Sequence, residues 1–126
     1  MGTVMVVATV SVDGFIADED DRVGALFEWY GNGPVATTLG DPDRVFHVSE
    51  VSAAYLSRLA TVGAGDIGGQ ALAAGPVDEV HMNVAPVVLG SGIRFFGSLT
   101  GPALLEDPLS VQGDRVRHDV YPVRRT

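Results

Sequence analysis

Chemistry in this chain can start from only a few residues. Ser11, Asp13 and Gly14, spaced S-x-D-G, set a hydroxyl and a carboxylate two positions apart beside a glycine. Such a group can orient a substrate or relay a proton, and glycine lets a ligand come close to the backbone. A second set is Gly63, Gly65 and Gly68 in GAGDIG, whose spacing satisfies G-x-G-x-x-G and which encloses Asp66. A third is Gly90-Ser91-Gly92 followed by Arg94, a candidate contact for an anion. The three histidines, His47, His81 and His118, lack metal-ligand spacing, and chain order reveals no Ser-His-Asp set. His118 reads as a cross-strand partner. Asp18, Glu19, Asp20 and Asp21 lack the alternating ligands, central glycine and distant glutamate of a calcium loop, so they read as a solvated loop.

The elements that must position these groups can be read from periodicity. Val4, Val6, Val7, Ala8 and Val10 form a β-branched apolar run, the pattern of a strand buried on both faces of a mainly parallel sheet. Ser11, Asp13 and Gly14 then fall at its carboxyl end, where open α/β sheets place their ligands. Leu26, Phe27, Trp29 and Tyr30, within residues 24–34, predict a short helix or flap over that strand end, or aromatics that complete the core. Residues 35–48 carry few periodic cues beyond the turn chemistry of GDPDR. Ser49 is a good N-cap for a helix running to about Ala60, with Val51, Tyr55, Leu56 and Leu59 on one face.

That helix leads directly toward Gly63, so the glycine motif reads as following a helix rather than the strand a dinucleotide fingerprint requires. Asp66 can cap a helix through Ala74, stopped by Gly75 and Pro76. Tight-turn glycines are one reading, and exposed N–H groups receiving a phosphate at a helix N-terminus are the other. Residues 77–89 alternate as a strand, Val80, Met82 and Val84 against His81, Asn83 and Ala85, with a bend expected at Pro86. Leu104 to Gln112 and Arg115 to Val123 predict a terminal hairpin joined by Gly113 and Asp114.

Composition sets the outer bounds. A chain of 126 residues is normally one domain, so residues 1–126 are expected to form a single unit. No window approaches the uncharged apolar span of about 18 residues needed for a membrane helix, which points to a soluble protein. A formal charge of −8 argues against a nucleic-acid partner, and a small-molecule ligand or another protein fits better. The absence of cysteine fits a reducing cytoplasm.

Three blocks together carry a family resemblance: ATVSVDGFIAD near the start, GDIGGQALAAGPVDEV in the middle and NVAPVVLGSGIRFF after it. Their residues and order resemble the dihydrofolate-reductase-like family that includes the reductase domain of bacterial riboflavin biosynthesis. The resemblance implies an α/β fold with a shortened mixed sheet flanked by helices, NADPH as hydride donor, a small heterocyclic or carbonyl substrate, and a homodimer. It makes Asp13 the catalytic candidate and places Ser11, Asp13, Gly14 and Trp29 on the substrate side. On the cofactor side it implies Ala8, Ile16, Ala17, Gly65, Asp66, Ile67, Gly68, Gly90 and Gly92, and it implies no metal.

Departures from the family pattern also stand out. Members are several tens of residues longer between the positions of Leu59 and Asp66, a stretch that carries further strands and an Arg-containing turn for the cofactor phosphates. Ala64 stands where the first glycine of a pair belongs, and Phe15 where the riboflavin branch often has lysine. The alternative expectation is therefore a non-catalytic relic that keeps the fold and dimer surface but binds no dinucleotide.

Overall fold

The apolar run near the start of the chain becomes an inner strand of a five-stranded sheet. β1 (Met5–Val10) lies between β5 (Thr61–Gly63) and β6 (Glu79–Val84), parallel to both. β9 (Arg117–Pro122) pairs antiparallel with β6, and β8 (Leu109–Gln112) antiparallel with β9, giving the order β5-β1-β6-β9-β8. The sheet is thus mixed, with a terminal antiparallel hairpin, as the sequence implied. The computed structural model describes residues 5–38, 43–56, 61–63, 72, 77–97, 99 and 101–124.

Strand alternation gives the sheet two different faces. On one, Val6, Val10 and Val80 are fully buried and pack with Leu72, Val77 and Phe95, while Ala8, Met82 and Val84 add half-buried contacts. Burying each such aliphatic side chain contributes about 1.5–3 kcal/mol, so this face supplies much of the driving force for folding. The other face carries Thr9, His81, Asn83 and His118, all buried. It is covered by a 3₁₀ segment (Gly24–Tyr30), which buries Leu26 and Trp29, and by α1 (Glu50–Leu56), which buries Ser52 and Leu56. Ser49 caps α1 as expected, its Oγ accepting the Ser52 N–H at 3.2 Å.

Several boundaries differ from expectation. The strand predicted over residues 77–89 stops at Val84, because Pro86 has no N–H and the chain turns through a Val87 N–H to Ala85 carbonyl bond of 2.8 Å. The hairpin's first strand begins at Leu109, and an isolated bridge between Leu105 and Val123 is the trace of the longer pairing predicted. Residues 35–48 hold a small antiparallel pair, β3 (Val35–Thr37) with β4 (Phe46–Val48). Strands of three residues are too short to show a period.

The same shortness hid β5. A strand, Thr61–Gly63, leads into the glycine motif, which overturns the expectation that a helix does so. The described part of the first predicted helix ends at Leu56, and the second, over residues 66–74, lies outside the described residues except for the helical, buried Leu72. Two more short strands, β2 (Phe15–Ala17) and β7 (Ile93–Arg94), pair antiparallel through a register irregularity.

Candidate functional site

Two loops meet where β1 and β6 end, and backbone amides join them. Ala85 N–H donates to the Val10 carbonyl at 2.9 Å, and Val12 N–H donates to the Val87 carbonyl at 2.8 Å. Within the first loop the Ser11 hydroxyl accepts the Phe15 N–H at 2.9 Å and donates to Asp13 Oδ1 at 2.6 Å. Asp13 then reaches across: Leu89 N–H donates to Oδ1 at 3.1 Å and Gly90 N–H donates to Oδ2 at 2.8 Å. The S-x-D-G spacing has a local reason, since a hydroxyl two residues earlier fixes the carboxylate rotamer that bridges the loops.

These donors set the state of the carboxyl group. The Ser11 hydroxyl first, opposed by desolvation and reinforced by the Gly90 and Leu89 amides, holds the Asp13 pKa below its ordinary value. Asp13 is therefore an ionised acceptor at neutral pH and a poor proton donor.

The glycines do separate jobs. Gly14 (φ 96°) and Gly90 (φ 84°) have left-handed backbones with nothing within 4 Å of where a Cβ would stand. Gly92 (φ 141°) has no such room, because a Cβ there would sit 2.1 Å from the Ala17 carbonyl oxygen. Gly92 thus permits the close β2–β7 pairing, while Gly14 and Gly90 leave open backbone.

Beside Asp13 is a cleft of about 350 Å³. Asp13, Gly14 and Arg94 give it polar edges, and Met82, Phe96 and Leu99 give it apolar walls. The Arg94 guanidinium lies 5.7 Å from the Phe15 ring centroid, a cation–π placement that holds the cation near the opening.

The structure brings together Ser11, Asp13, Gly14, Ile16, Ala17, Gly90 and Gly92. Ile16 and Ala8 are half-buried against the first core, and Ala17 is buried. Trp29 lies elsewhere: it is 1% exposed on the opposite sheet face, and its indole N–H donates to Thr9 Oγ1 at 3.3 Å. Gly65, Asp66, Ile67 and Gly68 lie outside the described residues. Among the described residues no group of His, Cys, Asp and Glu is placed to hold a metal ion.

Sequence reasoning missed a buried polar network on the face that Trp29 occupies. His118 Nδ1 bonds to Asn83 Oδ1 at 2.8 Å across the β6–β9 register, and its Nε2 bonds to Ser52 Oγ at 2.7 Å. These contacts fix a neutral tautomer, with Nδ1–H donating to Asn83 and Nε2 accepting the Ser52 O–H. Tyr55 stacks on His118 at 4.2 Å and donates its O–H to His81 Nδ1, while His81 Nε2–H donates to Glu79 at 2.9 Å.

Burial pushes the His118 pKa down to about 4 and the Tyr55 pKa well up, so His118 stays neutral and Tyr55 stays a donor. The Ser52-His118-Asn83 order resembles a nucleophile, base and orienter. Ser52 is 1% exposed and His118 fully buried, however, so no substrate reaches the hydroxyl. The network is a satisfied polar core. Only the cross-strand role of His118 was legible in advance.

No protein-family model matches the sequence, and no curated protein matches it. Solved structures do match. A protein from Shewanella sp. PV-4, provisionally described as a riboflavin biosynthesis protein, superposes with a TM-score of 0.64 at 17% identity, covering 98% of this chain and 100% of that one. Acinetobacter baumannii RibD gives 0.62 at 14% identity, covering 98% of this chain and 58% of that one. The Thermotoga maritima diaminohydroxyphosphoribosylaminopyrimidine deaminase/5-amino-6-(5-phosphoribosylamino)uracil reductase gives 0.59 at 10% identity, with 97% and 56% covered. This chain therefore spans less than three-fifths of the latter two proteins. At these identities the likeness is one of fold, and at that level it bears out the dihydrofolate-reductase-like resemblance read from the sequence.

Proposed function

We propose that this chain is an NADPH-dependent reductase that passes hydride to a small heterocyclic or carbonyl substrate, in the manner of riboflavin-biosynthesis reductases. One observation carries the reading: at the carboxyl ends of two parallel strands, on a fold shared with a deaminase/reductase, Asp13 ties two glycine-bearing loops together beside a cleft. The open α-carbons of Gly14 and Gly90 suit the close approach of a flat nicotinamide ring, and Ala8, Ile16, Ala17 and Gly92 are the further residues proposed for the cofactor side. Gly65, Asp66, Ile67 and Gly68 are the proposed partners of the cofactor phosphates. When bound, NADPH supplies the hydride.

The chain's own contribution is position and electrostatics. Ser11 orients the Asp13 carboxylate, and that carboxylate accepts hydrogen bonds from donor groups of the substrate. Its lowered pKa makes it a positioning acceptor, with the proton of the reduction drawn from solvent. Arg94 sets the preference at the other edge of the cleft for a carbonyl or an anionic substituent.

We place the enzyme in the cytoplasm, in keeping with its lack of cysteine, and infer that it works as a homodimer. The described sheet ends on β8, where Leu109 is 75% exposed and Val111 is 44% exposed, an edge that a second copy can cover. The test is NADPH consumption, followed by nicotinamide absorbance, with a panel of unsaturated heterocycles and small aldehydes and ketones. Substrate-dependent oxidation is expected. A chain that consumes no NADPH with any of them, yet folds and dimerises, would instead be the non-catalytic relic.

A further inference from the structure

A second cleft, of about 430 Å³, lies against the tip of the β8–β9 hairpin and shares no lining residue with the Asp13 cleft. Val12, Val84 and Pro86 form its apolar side, and the hairpin tip from Gln112 to Arg117 forms its polar side. All eight basic residues of this acidic chain are arginines, and two of them, Arg115 and Arg117, stand on this tip.

Both arginines are set up unusually. Arg115 has φ 62°, a left-handed conformation that glycine adopts far more readily, so the turn keeps a cation where a simpler residue would be less strained. Its pairing with Glu28, at 3.4 Å between half-exposed side chains, is weak. Arg117 is held by the buried Asp119, which accepts from Nε at 3.0 Å and from Nη2 at 2.9 Å. The Arg117 side chain is still 51% exposed, and Asp119 takes only Nε and Nη2, which leaves part of the donor fork available. Asp114 also lines the cleft and opposes an anion there.

We propose that this cleft binds a small ligand that carries a phosphate or carboxylate on an apolar body, the anion meeting Arg115 and Arg117 and the body lying on Val12, Val84 and Pro86. A planar guanidinium suits both anions because its parallel N–H groups match two oxygens at once. The site is independent of the reductase reading.

Isothermal titration of the full chain with phenyl phosphate, benzoate and neutral phenol tests it, on wild type and on Arg115→Gly. That variant removes the cation while relieving the left-handed strain, so its melting temperature should hold or rise and loss of binding cannot be put down to misfolding. One or both anions should bind at least tenfold more tightly than phenol, and Arg115→Gly should weaken them by about tenfold or more. Phenol binding as well as the anions, or a variant that binds like wild type, would overturn the proposal. NADPH should not displace the anion, because the two clefts share no lining residue, and displacement by NADPH would overturn a site separate from the reductase cleft.

Discussion

Asp13 stood out in the sequence because it falls just beyond a buried apolar run, between Ser11 and Gly14. Its partners did not, since Leu89 and Gly90 lie 76 and 77 positions away. Asp13→Asn replaces one acceptor oxygen by an NH₂ group that would face an amide donor. We expect faster hydrogen exchange at Leu89 and Gly90 and a fall in kcat of about tenfold to a hundredfold, with NADPH affinity changed much less. Equal losses in both would assign Asp13 a different role. His118 gives a second prediction at this scale. Its folded pKa of about 4 lies below the usual 6.5, so the stability gained by keeping it neutral is complete above pH 6.5 and is lost as pH falls from 6.5 toward 4. Urea unfolding at pH 7 and at pH 4.5 should differ by about 1–3 kcal/mol, and His118→Gln should flatten that difference. The network itself could not be read from the chain, because Ser52 and Asn83 lie 66 and 35 positions from His118.

Elements that run long enough to show a period were readable. β1, β6, β9 and the start of α1 lie where apolar spacing put them, and Ser49 caps as its type predicts. The two- and three-residue strands β2, β3, β4, β5 and β7 were not readable, since their pairing comes from tertiary contacts rather than from local pattern. Missing β5 mattered most, because it reversed the reading of what leads into the glycine motif. The loop glycines separate packing from conformation. Gly92→Ala would drive a Cβ into the Ala17 carbonyl and should cost about 3 kcal/mol or more, detaching β2 from β7. Gly90→Ala meets open space and carries only the left-handed penalty of about 1–2 kcal/mol. Thermal melts of the two variants should therefore differ clearly, and equal destabilisation would contradict the close approach seen at Gly92.

At the scale of the whole molecule, the mixed sheet and its terminal hairpin followed from the sequence, whereas the second, arginine-tipped cleft did not. That cleft needs Val12, Pro86 and the hairpin brought together, and only the sheet order does so. Exposed Leu109 and Val111 on the outermost described strand lead us to expect a homodimer by sedimentation equilibrium, and a stable monomer at micromolar concentration would count against it. The proposed reduction depends above all on NADPH binding to the native chain. A ligand present at about 100 times its Kd stabilises the state it binds by about 2.7 kcal/mol, so a dimer that binds NADPH must melt at a higher temperature as the cofactor is added. Titrating NADPH while following the melting transition is the most direct test. The melting temperature should rise and saturate below millimolar NADPH, and a chain whose melting temperature is unchanged at millimolar NADPH binds no dinucleotide and is not this reductase.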